Sequence, residues 1–161
     1  MATDPRADLL RSNVLGRGLR LDLASDDGSR DLSVTLTPLG TLDLALVAGI
    51  DNLGQALAVA ITTPLGGDVF NLQFGFDGLD ALADQSTPVV QRERVRVAIV
   101  NLLRRDSRVA RVVDVRLLDA RLDSPSTGAS RQLDVRVVFE TVSADLLTLT
   151  AGTQGATLDH G

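Results

Sequence analysis

Carboxylates are the side chains of this sequence with the widest range of possible chemistry. Of its 21 acidic residues only two are glutamates, Glu93 in an arginine-rich segment and Glu140 in an alternating one. Neither lies in an apolar stretch of the kind that turns a carboxyl group into a catalytic acid. A pair of carboxylates that cleaves a glycosidic bond stays open as an alternative, because separation in space is invisible in a sequence.

The sequence offers little basis for catalysis or metal binding by histidine or cysteine. There is no cysteine, which excludes disulfides and thiolate metal sites, and the single histidine, His160, stands beside the last glycine. Residues 26–31 contain three aspartates, but they lack the spacing and the terminal glutamate of a dedicated calcium loop. No glycine cluster is followed by the residues of a phosphate-binding loop. We therefore expect no catalytic residue, no metal and no cofactor.

Composition narrows the class of partner. A length of 161 residues is typical of one domain. Of these residues 44% are hydrophobic but only 2% are aromatic. We therefore expect an aliphatic core and no aromatic surface on which nucleic-acid bases could stack. The net charge of -5 argues against nucleic acid. No run approaches the roughly 20 apolar residues of a bilayer span, and residues 1–11 lack a signal peptide's apolar core. We expect a soluble protein made in the cytoplasm.

The basic residues are concentrated in one part of the chain. All 16 are arginine; none lies in residues 31–91, whereas 11 lie in residues 92–136. Such a polarised surface suits docking between protein subunits, and a solvated face is the equally open alternative.

Alternating apolar residues predict strands near the N-terminus. Leucines alternate with polar residues from Leu19 to Leu23, and a similar pattern covers residues 34–36 beyond a turn-rich segment, which predicts a β-hairpin from Leu19 to Thr37. The alternation over residues 42–46 predicts a further short strand or extended arm.

Two helices are predicted in the middle of the chain. Apolar residues recur at intervals of three and four after Ile50, for a helix that opens near Asp51 and ends before Pro64. A second helix begins at Pro88 behind the cap residue Thr87. Its buried face is predicted to comprise Val95, Ala98, Ile99, Leu102 and Leu103.

The segment after the first helix is predicted to turn and then extend. Residues 62–67 form a turn cluster. Phenylalanines at positions 70, 74 and 76 then alternate with other residues, which predicts a strand over 69–77 that supplies an aromatic plug to the aliphatic core. Gly75 is predicted to mark a place where another backbone approaches closely.

Two strands with the shared string Asp-Val-Arg are predicted near the C-terminus. They are expected to pair antiparallel with Val115 opposite Val135, which creates two cross-strand ion pairs worth about 0.2–1 kcal/mol each. The predicted pairs are Asp114 with Arg136 and Arg116 with Asp134.

These elements together predict an α+β fold. We expect a single domain in which a small antiparallel or mixed β-sheet packs against two main α-helices, with an N-terminal β-hairpin and an extended C-terminal strand. The predicted parts are an N-terminal extension (residues 1–48), a core (residues 49–150) and a flexible tail (residues 151–161). The last strand, over residues 146–150, is either an ordinary edge strand or one suited to addition onto another subunit's sheet.

Four short motifs follow one another in a fixed order between residues 43 and 139. They are an apolar helix segment at 51–57, Thr63-Pro64-Leu65-Gly66-Gly67, residues 71–75 ending in Phe74-Gly75, and Asp106-Ser107-Arg108-Val109. Their order resembles that of the baseplate wedge and sheath-initiator family of contractile phage tails and related injection machines, a family also labelled lysozyme-like. This chain has Gly67 where the family usually has glutamate, and Asp106-Ser107-Arg108 where it has Glu-Pro-Arg.

The resemblance implies a structural role rather than an enzymatic one. The protein would join the baseplate wedge to the first sheath ring of a sixfold particle and initiate sheath assembly. Its partners would be the larger wedge subunits and the sheath protein, with tube or hub proteins as further candidates, and neither nucleic acid nor a membrane. The turn of Asp106, Ser107 and Arg108 would dock against the helical bundle of the wedge subunits. A local Asp106–Arg108 ion pair is the alternative for this turn.

Two other functions stay open. A peptidoglycan-cleaving enzyme follows from the lysozyme label, although the sequence offers no convincing acid. An unrelated oligomeric adaptor would share the composition but has no reason to carry the four motifs in this order.

Overall fold

The computed structural model of the chain describes residues 5–23, 30–80, 87–119, 133–152 and 155–160. The fold is α+β, as predicted, and its strands form antiparallel sheets. Three helices are described over their full length: α1 (Pro5–Val14), α2 (Gly49–Thr62) and α3 (Pro88–Arg105). The strands are β1 (Arg17–Leu19), β2 (Leu21–Leu23), β3 (Arg30–Leu32), β4 (Val34–Leu36), β5 (Leu42–Leu44), β6 (Leu46–Ala48), β7 (Val109–Asp119), β8 (Leu133–Thr141), β9 (Leu146–Gly152) and β10 (Gly155–His160).

The chain divides into two compact units, Met1–Ala56 and Leu57–Gly161, and the division falls inside α2. In the first unit, three antiparallel ladders meet at one point: β1 pairs with β6, β2 with β3 and β4 with β5. The predicted hairpin of residues 19–23 with residues 34–36 is therefore wrong in its pairing: β2 pairs antiparallel with β3, and β4 pairs with β5, the predicted arm.

A closed ring of backbone hydrogen bonds joins the three ladders. The amide of Arg20 donates to the carbonyl of Ala45, the amide of Ala45 to that of Ser33, and the amide of Ser33 to that of Arg20, each over 2.9 Å. Through the ring, the backbone amide and carbonyl of all three residues are hydrogen-bonded at the point where the strands exchange partners. Without these bonds, the unsatisfied backbone groups would destabilise the junction. It therefore allows three two-stranded arms to leave one junction.

Two polar side chains of α2 are hydrogen-bonded to the backbone in and around β1. The amide oxygen of Gln55 accepts a hydrogen bond from the backbone of Leu21, and its nitrogen donates to the carbonyl of Leu19, both over 2.7 Å. Buried Asn52 donates to the carbonyl of Leu15 over 3.1 Å. Both polar side chains thus replace backbone partners that the short ladders do not supply.

Both predicted helices are confirmed. α2 ends at Thr62, before Pro64, and α3 begins at Pro88 with Thr87 in the N-cap position. All five residues predicted for the inner face of α3 are buried, together with Gln91. The proline at the first helical position costs no hydrogen bond there, since the amide it lacks would have no partner within the helix.

The second unit is built on a four-stranded antiparallel sheet in the order β10-β9-β8-β7, and α3 packs beside β7. Side chains of β8 alternate, so that Val135, Val137 and Phe139 are buried while Arg136 is exposed. Leu147 and Leu149 extend this apolar layer onto β9. The core is therefore aliphatic, as expected, with Phe139 as its largest fully buried side chain.

The predicted register of β7 and β8 is wrong by two residues, although the strands do pair antiparallel. Val115 lies opposite Val137 rather than Val135, and Arg116 lies opposite Arg136. Neither predicted ion pair forms: Asp114 pairs with Arg116 along its own strand over 2.8 Å, and Leu118 rather than Arg116 is opposite Asp134.

Two β-bulges in β7 explain the difference. At the start of the ladder Val109 lies opposite Thr141, and continuing that register without interruption would bring Val115 opposite Val135. The register instead shifts between Val109 and Arg111 and again between Val112 and Asp114, so β7 has one unmatched residue at each place. Side chains along a strand alternate between the two faces of the sheet. A register shift of two residues therefore leaves the same side chains of β7 and β8 on a shared face.

Residues 69–77 do not form the predicted strand but a series of turns. The backbone amide of Phe70 donates to the Asp68 carboxylate, and of the predicted aromatic plug only Phe76 is buried.

Two predictions for the C-terminal residues are also corrected. The predicted flexible tail contains β10, which pairs with β9. The strand over residues 146–150 is therefore not the predicted edge strand, because β9 lies between β8 and β10. Ala151 and Ala156 lie opposite each other and are both buried, so small side chains close this end of the sheet.

The turn between β8 and β9 carries a strained residue. Among the described residues other than glycine, only Ala144 has a positive φ, at 62°. The turn is fixed around it, because the hydroxyl of Thr141 accepts from the amide of Asp145 over 3.1 Å and Ser143 donates to the Asp145 carboxylate over 2.7 Å. The surrounding hydrogen bonds therefore impose a conformation that alanine alone disfavours.

We expect Ala144→Gly to raise the free energy of unfolding by about 0.5–1 kcal/mol, because glycine adopts a positive φ without steric cost. The matched control is Ala110→Gly, because Ala110 in β7 is also exposed but does not have a positive φ. Glycine there should lower the free energy of unfolding by a few tenths of a kcal/mol or more. Urea unfolding of both variants measures the two effects. Equal destabilisation by both substitutions would contradict the strain.

Candidate protein-interaction surfaces

The turn from α3 into β7 is closed by a bidentate ion pair. Asp106, the C-cap residue of α3, accepts hydrogen bonds from Arg108 at both carboxylate oxygens: Oδ1 from Nε over 2.8 Å and Oδ2 from Nη2 over 2.6 Å. Oδ1 also accepts from the Arg108 backbone amide over 3.0 Å. Both side chains are about one-fifth exposed, at 18% and 22%. The local ion pair considered for these two residues is thus present.

The electrostatics of Asp106 follow from this geometry. Partial burial raises the pKa of the carboxyl group, but the side-chain hydrogen bonds, the backbone hydrogen bond and the positive charge of Arg108 together outweigh it and leave the pKa below its ordinary value. The carboxylate is therefore charged at neutral pH. A fixed guanidinium and a fixed carboxylate form one rigid unit, whereas Ser107 between them is exposed.

The same turn is tied to the strained β8–β9 turn. The carbonyl of Arg108 accepts a hydrogen bond from the amide of Val142 over 2.9 Å. Ala144 and its hydrogen-bonded neighbours thus lie close to the Asp106–Arg108 pair along one end of the sheet. A backbone hydrogen bond thus joins the two turns. The wedge-docking role expected for residues 106–108 stays a prediction.

The motif residues Thr63 to Gly75 form a loop whose ends are joined. The amide of Phe76 donates to the carbonyl of Thr63 over 2.8 Å, and Gly66 donates to the carbonyl of Phe74 over 3.1 Å. Gly75, at φ 109°, packs directly on Pro64, since a Cβ atom there would lie 2.5 Å from the Pro64 carbonyl oxygen. The close backbone approach predicted for Gly75 is confirmed.

The tip of this loop exposes apolar side chains to solvent. Phe70 is 97% exposed, and Val69 and Leu72 are also exposed. The loop backbone is closed at its base and capped by Asp68, so these side chains are presented on a fixed support. The period-two pattern behind the predicted strand gave no sign of this exposure.

A larger apolar surface covers one side of the three ladders in the first unit. Directly opposite residues share a face of an antiparallel ladder. Four such pairs are aliphatic: Leu19 with Leu46, Leu21 with Leu32, Val34 with Leu44, and Leu36 with Leu42. We call these residues the leucine face; all of them except Leu21 are exposed. The pairs on the other side include Asp22 with Asp31 and Thr35 with Asp43.

A groove runs beside the N-terminal half of α3 in the second unit. Its volume is about 750 Å³, within the range of common binding clefts. The lining combines three valines and an alanine with four charged side chains: Asp77, Asp80, Val89, Val90, Glu93, Arg94, Val97 and Ala98. We call this the α3 groove. The sequence analysis did not predict this groove, because it assigned only the buried face of α3.

The comparisons with known proteins add no relative. No family model matches the chain, and no curated protein matches it. Among the helices of the described part of the chain, none combines the length and the apolar character needed to cross a membrane. The described residues also contain no group of three or more histidine, cysteine or acidic side chains placed to hold a metal ion.

We expect Gly75→Ala to destabilise the protein by several kcal/mol, because the new methyl group would overlap the Pro64 carbonyl in addition to straining φ. Gly40→Ala is the matched control: its φ is 76°, but nothing lies within 4 Å of a Cβ atom there. It should cost only the strain, about 1–2 kcal/mol. Thermal unfolding monitored by circular dichroism compares them, and similar losses would refute the close contact.

We expect Asp106→Asn to lower the free energy of unfolding at pH 7 by about 1–3 kcal/mol, because it weakens a partly buried, charge-assisted pair. Asp114→Asn is the control: the Asp114–Arg116 pair has the same spacing, but its side chains are 44% and 76% exposed. That loss should be at most about 0.5 kcal/mol.

The Asp106 effect should also depend on pH in a definite direction. A depressed pKa gives stability that is present above the ordinary value of 3.8 and is lost as pH falls through the lower folded value. The difference between wild type and Asp106→Asn should therefore shrink below about pH 4. Urea unfolding from pH 7 to pH 3 tests this, and a difference independent of pH would exclude the ion pair as its source.

Proposed function

We propose that this chain is a structural component of the baseplate of a contractile tail or contractile injection system. In this role it joins the wedge to the first sheath ring and initiates sheath assembly. The observation that carries the proposal is the rigid Asp106–Arg108 turn, which stands between the second long helix and the C-terminal strands, where the resemblance expects the docking turn. The loop from Thr63 to Gly75, whose ends are joined by hydrogen bonds, precedes that helix and also supports the proposal.

The docking chemistry of this turn follows from its charge balance. A lone guanidinium would be expensive to bury against a partner, whereas one paired with Asp106 is already part of a neutral unit. Backbone carbonyls or a carboxylate on the wedge subunits would complete the hydrogen bonding of the guanidinium. The bond from Val142 to Arg108 keeps the pair in position before docking, which lowers the entropic cost of association.

The sheath would be engaged through strand pairing. β7 and β10 are the outer strands in the order of the four-stranded sheet. The amides and carbonyls along an outer edge can pair with an extended segment of another subunit. The exposed leucine face and Phe70 offer further apolar contact area to the wedge and sheath subunits.

The proposal is tested by particle assembly in the native host. We expect Arg108→Ala to abolish sheathed particles, counted by negative-stain microscopy, and to abolish co-purification of the sheath and large wedge subunits. Arg116→Ala, which removes an exposed guanidinium of a similar local pair, should leave assembly unchanged.

A second variant separates docking from stability. Asp106→Ala breaks the same local ion pair but retains the guanidinium. If docking requires Arg108 itself, Asp106→Ala should form more particles than Arg108→Ala at a comparable loss of stability. Normal particle numbers with Arg108→Ala would contradict the docking role, whereas equal loss with both variants would show that docking requires the neutral pair and not Arg108 alone.

A further inference from the structure

The two β-bulges of β7 reverse its faces only in the short part that lies between them. After the first bulge the register of β7 against β8 is shifted by one residue, and after the second bulge by two. A shift of one residue exchanges the two faces of a strand, and a second such shift restores them. The reversed part consists of Arg111, opposite Glu140, and Val112, opposite Phe139.

Arg111 is the residue that this reversal keeps out of the core. If the register of Val109 and Thr141 continued without bulges, Arg111 would lie opposite Phe139, which is fully buried on the inner face. A guanidinium on that face would lose its water without gaining a partner. In the bulged register its side chain is 71% exposed, and its Nε donates to the Glu140 carboxylate over 2.6 Å.

The neighbouring valines do not require the bulges. The second bulge leaves Val113 unmatched and 50% exposed. In an unbulged register, Val113 would lie opposite buried Val137, and Val112 would move to the outer face opposite Val138. One valine thus replaces another on the inner face, so the apolar layer is preserved in either register.

The charges of the outer face favour the unbulged register. In the observed register Arg116 lies opposite Arg136, and like charges directly opposite each other are destabilising. Asp114 offsets part of this repulsion by binding Arg116 along its own strand over 2.8 Å. Without bulges, Asp114 would lie opposite Arg136 and Arg116 opposite Asp134, so that both cross-strand pairs would be attractive. Arg111 therefore opposes a register that the other charges of β7 support.

We infer that β7 is a strand with two encoded registers and that Arg111 holds it in the bulged one. Without Arg111 both bulges are absorbed into the ladder, and the part of β7 after residue 113 moves two positions along β8, about 7 Å. Because β7 is an outer strand and bulges protect such a strand from pairing with other chains, Arg111 also keeps this edge in its protected form. The inference goes beyond the proposed function and does not rest on it.

NMR spectroscopy of the full chain distinguishes the two registers, because short cross-strand backbone NOEs join Val115 to Val137 in one and to Val135 in the other. We expect the contact to Val137 in wild type and in Arg111→Lys, which retains a cation. In Arg111→Val and in Arg111→Leu, the contact to Val135 should become the major one. Arg116→Val is the matched control, since it also replaces an exposed arginine of β7, and it should keep the contact to Val137.

A charge swap tests whether the two registers compete. With Asp114→Arg and Arg116→Asp together, the observed register places an acid opposite Arg136, whereas the unbulged register opposes like charges at both positions. Added to Arg111→Val, the swap should restore the contact between Val115 and Val137.

The inference would be overturned by a contact to Val137 that persists in both Arg111→Val and Arg111→Leu. A contact to Val135 in the Arg116→Val control, or in the variant that combines the swap with Arg111→Val, would overturn it equally. So would the loss of a folded sheet in both Arg111 variants, because a strand with a second fitting register stays paired with β8.

Discussion

The closed ring of backbone hydrogen bonds among Arg20, Ser33 and Ala45 is the interaction on which the first unit depends. Each ladder around it contains only three residue pairs, and an isolated two-stranded ladder is marginally stable at best. The ring joins three such ladders, so each arm is held at its base by its neighbours. The ladders are thus held together by their backbones, while most of the aliphatic side chains on one side of the junction are exposed.

In the second unit, the Asp106–Arg108 pair has a comparable role at the point where α3 gives way to β7. The carboxylate receives three hydrogen bonds from Arg108, which fix the direction in which β7 leaves the helix. A local role and a docking role for Arg108 are compatible, because a guanidinium that is already neutralised loses less hydration energy when a partner covers it. The pair therefore stabilises the turn in the free chain, and the docking role proposed for Arg108 does not require it to break.

How much of the fold was predictable depended on whether local signals agreed with tertiary contacts. α3 was predicted well because Pro88, the cap position and the apolar stripe all indicate the same helix. The register of β7 was not, because its bulges add ordinary residues such as Ala110 that carry no turn signal. In residues 69–77, hydrogen bonds to Asp68 and the packing of Gly75 on Pro64 overrode an alternating pattern, since such a pattern indicates only which residues would share a face if a strand formed.

The candidate surfaces were harder to predict, because exposure is not a local property. The alternation in β8 and that in β4 look alike in sequence, yet Val135, Val137 and Phe139 are buried, while Val34 and Leu36 are exposed. A β-sheet with one apolar face is stable in water only when a second layer covers that face. In the first unit, Asn52 and Gln55 of α2 bind the backbone around β1, but the leucine face remains exposed. An alternating pattern therefore indicates which side chains share a face, but not whether a second layer covers that face.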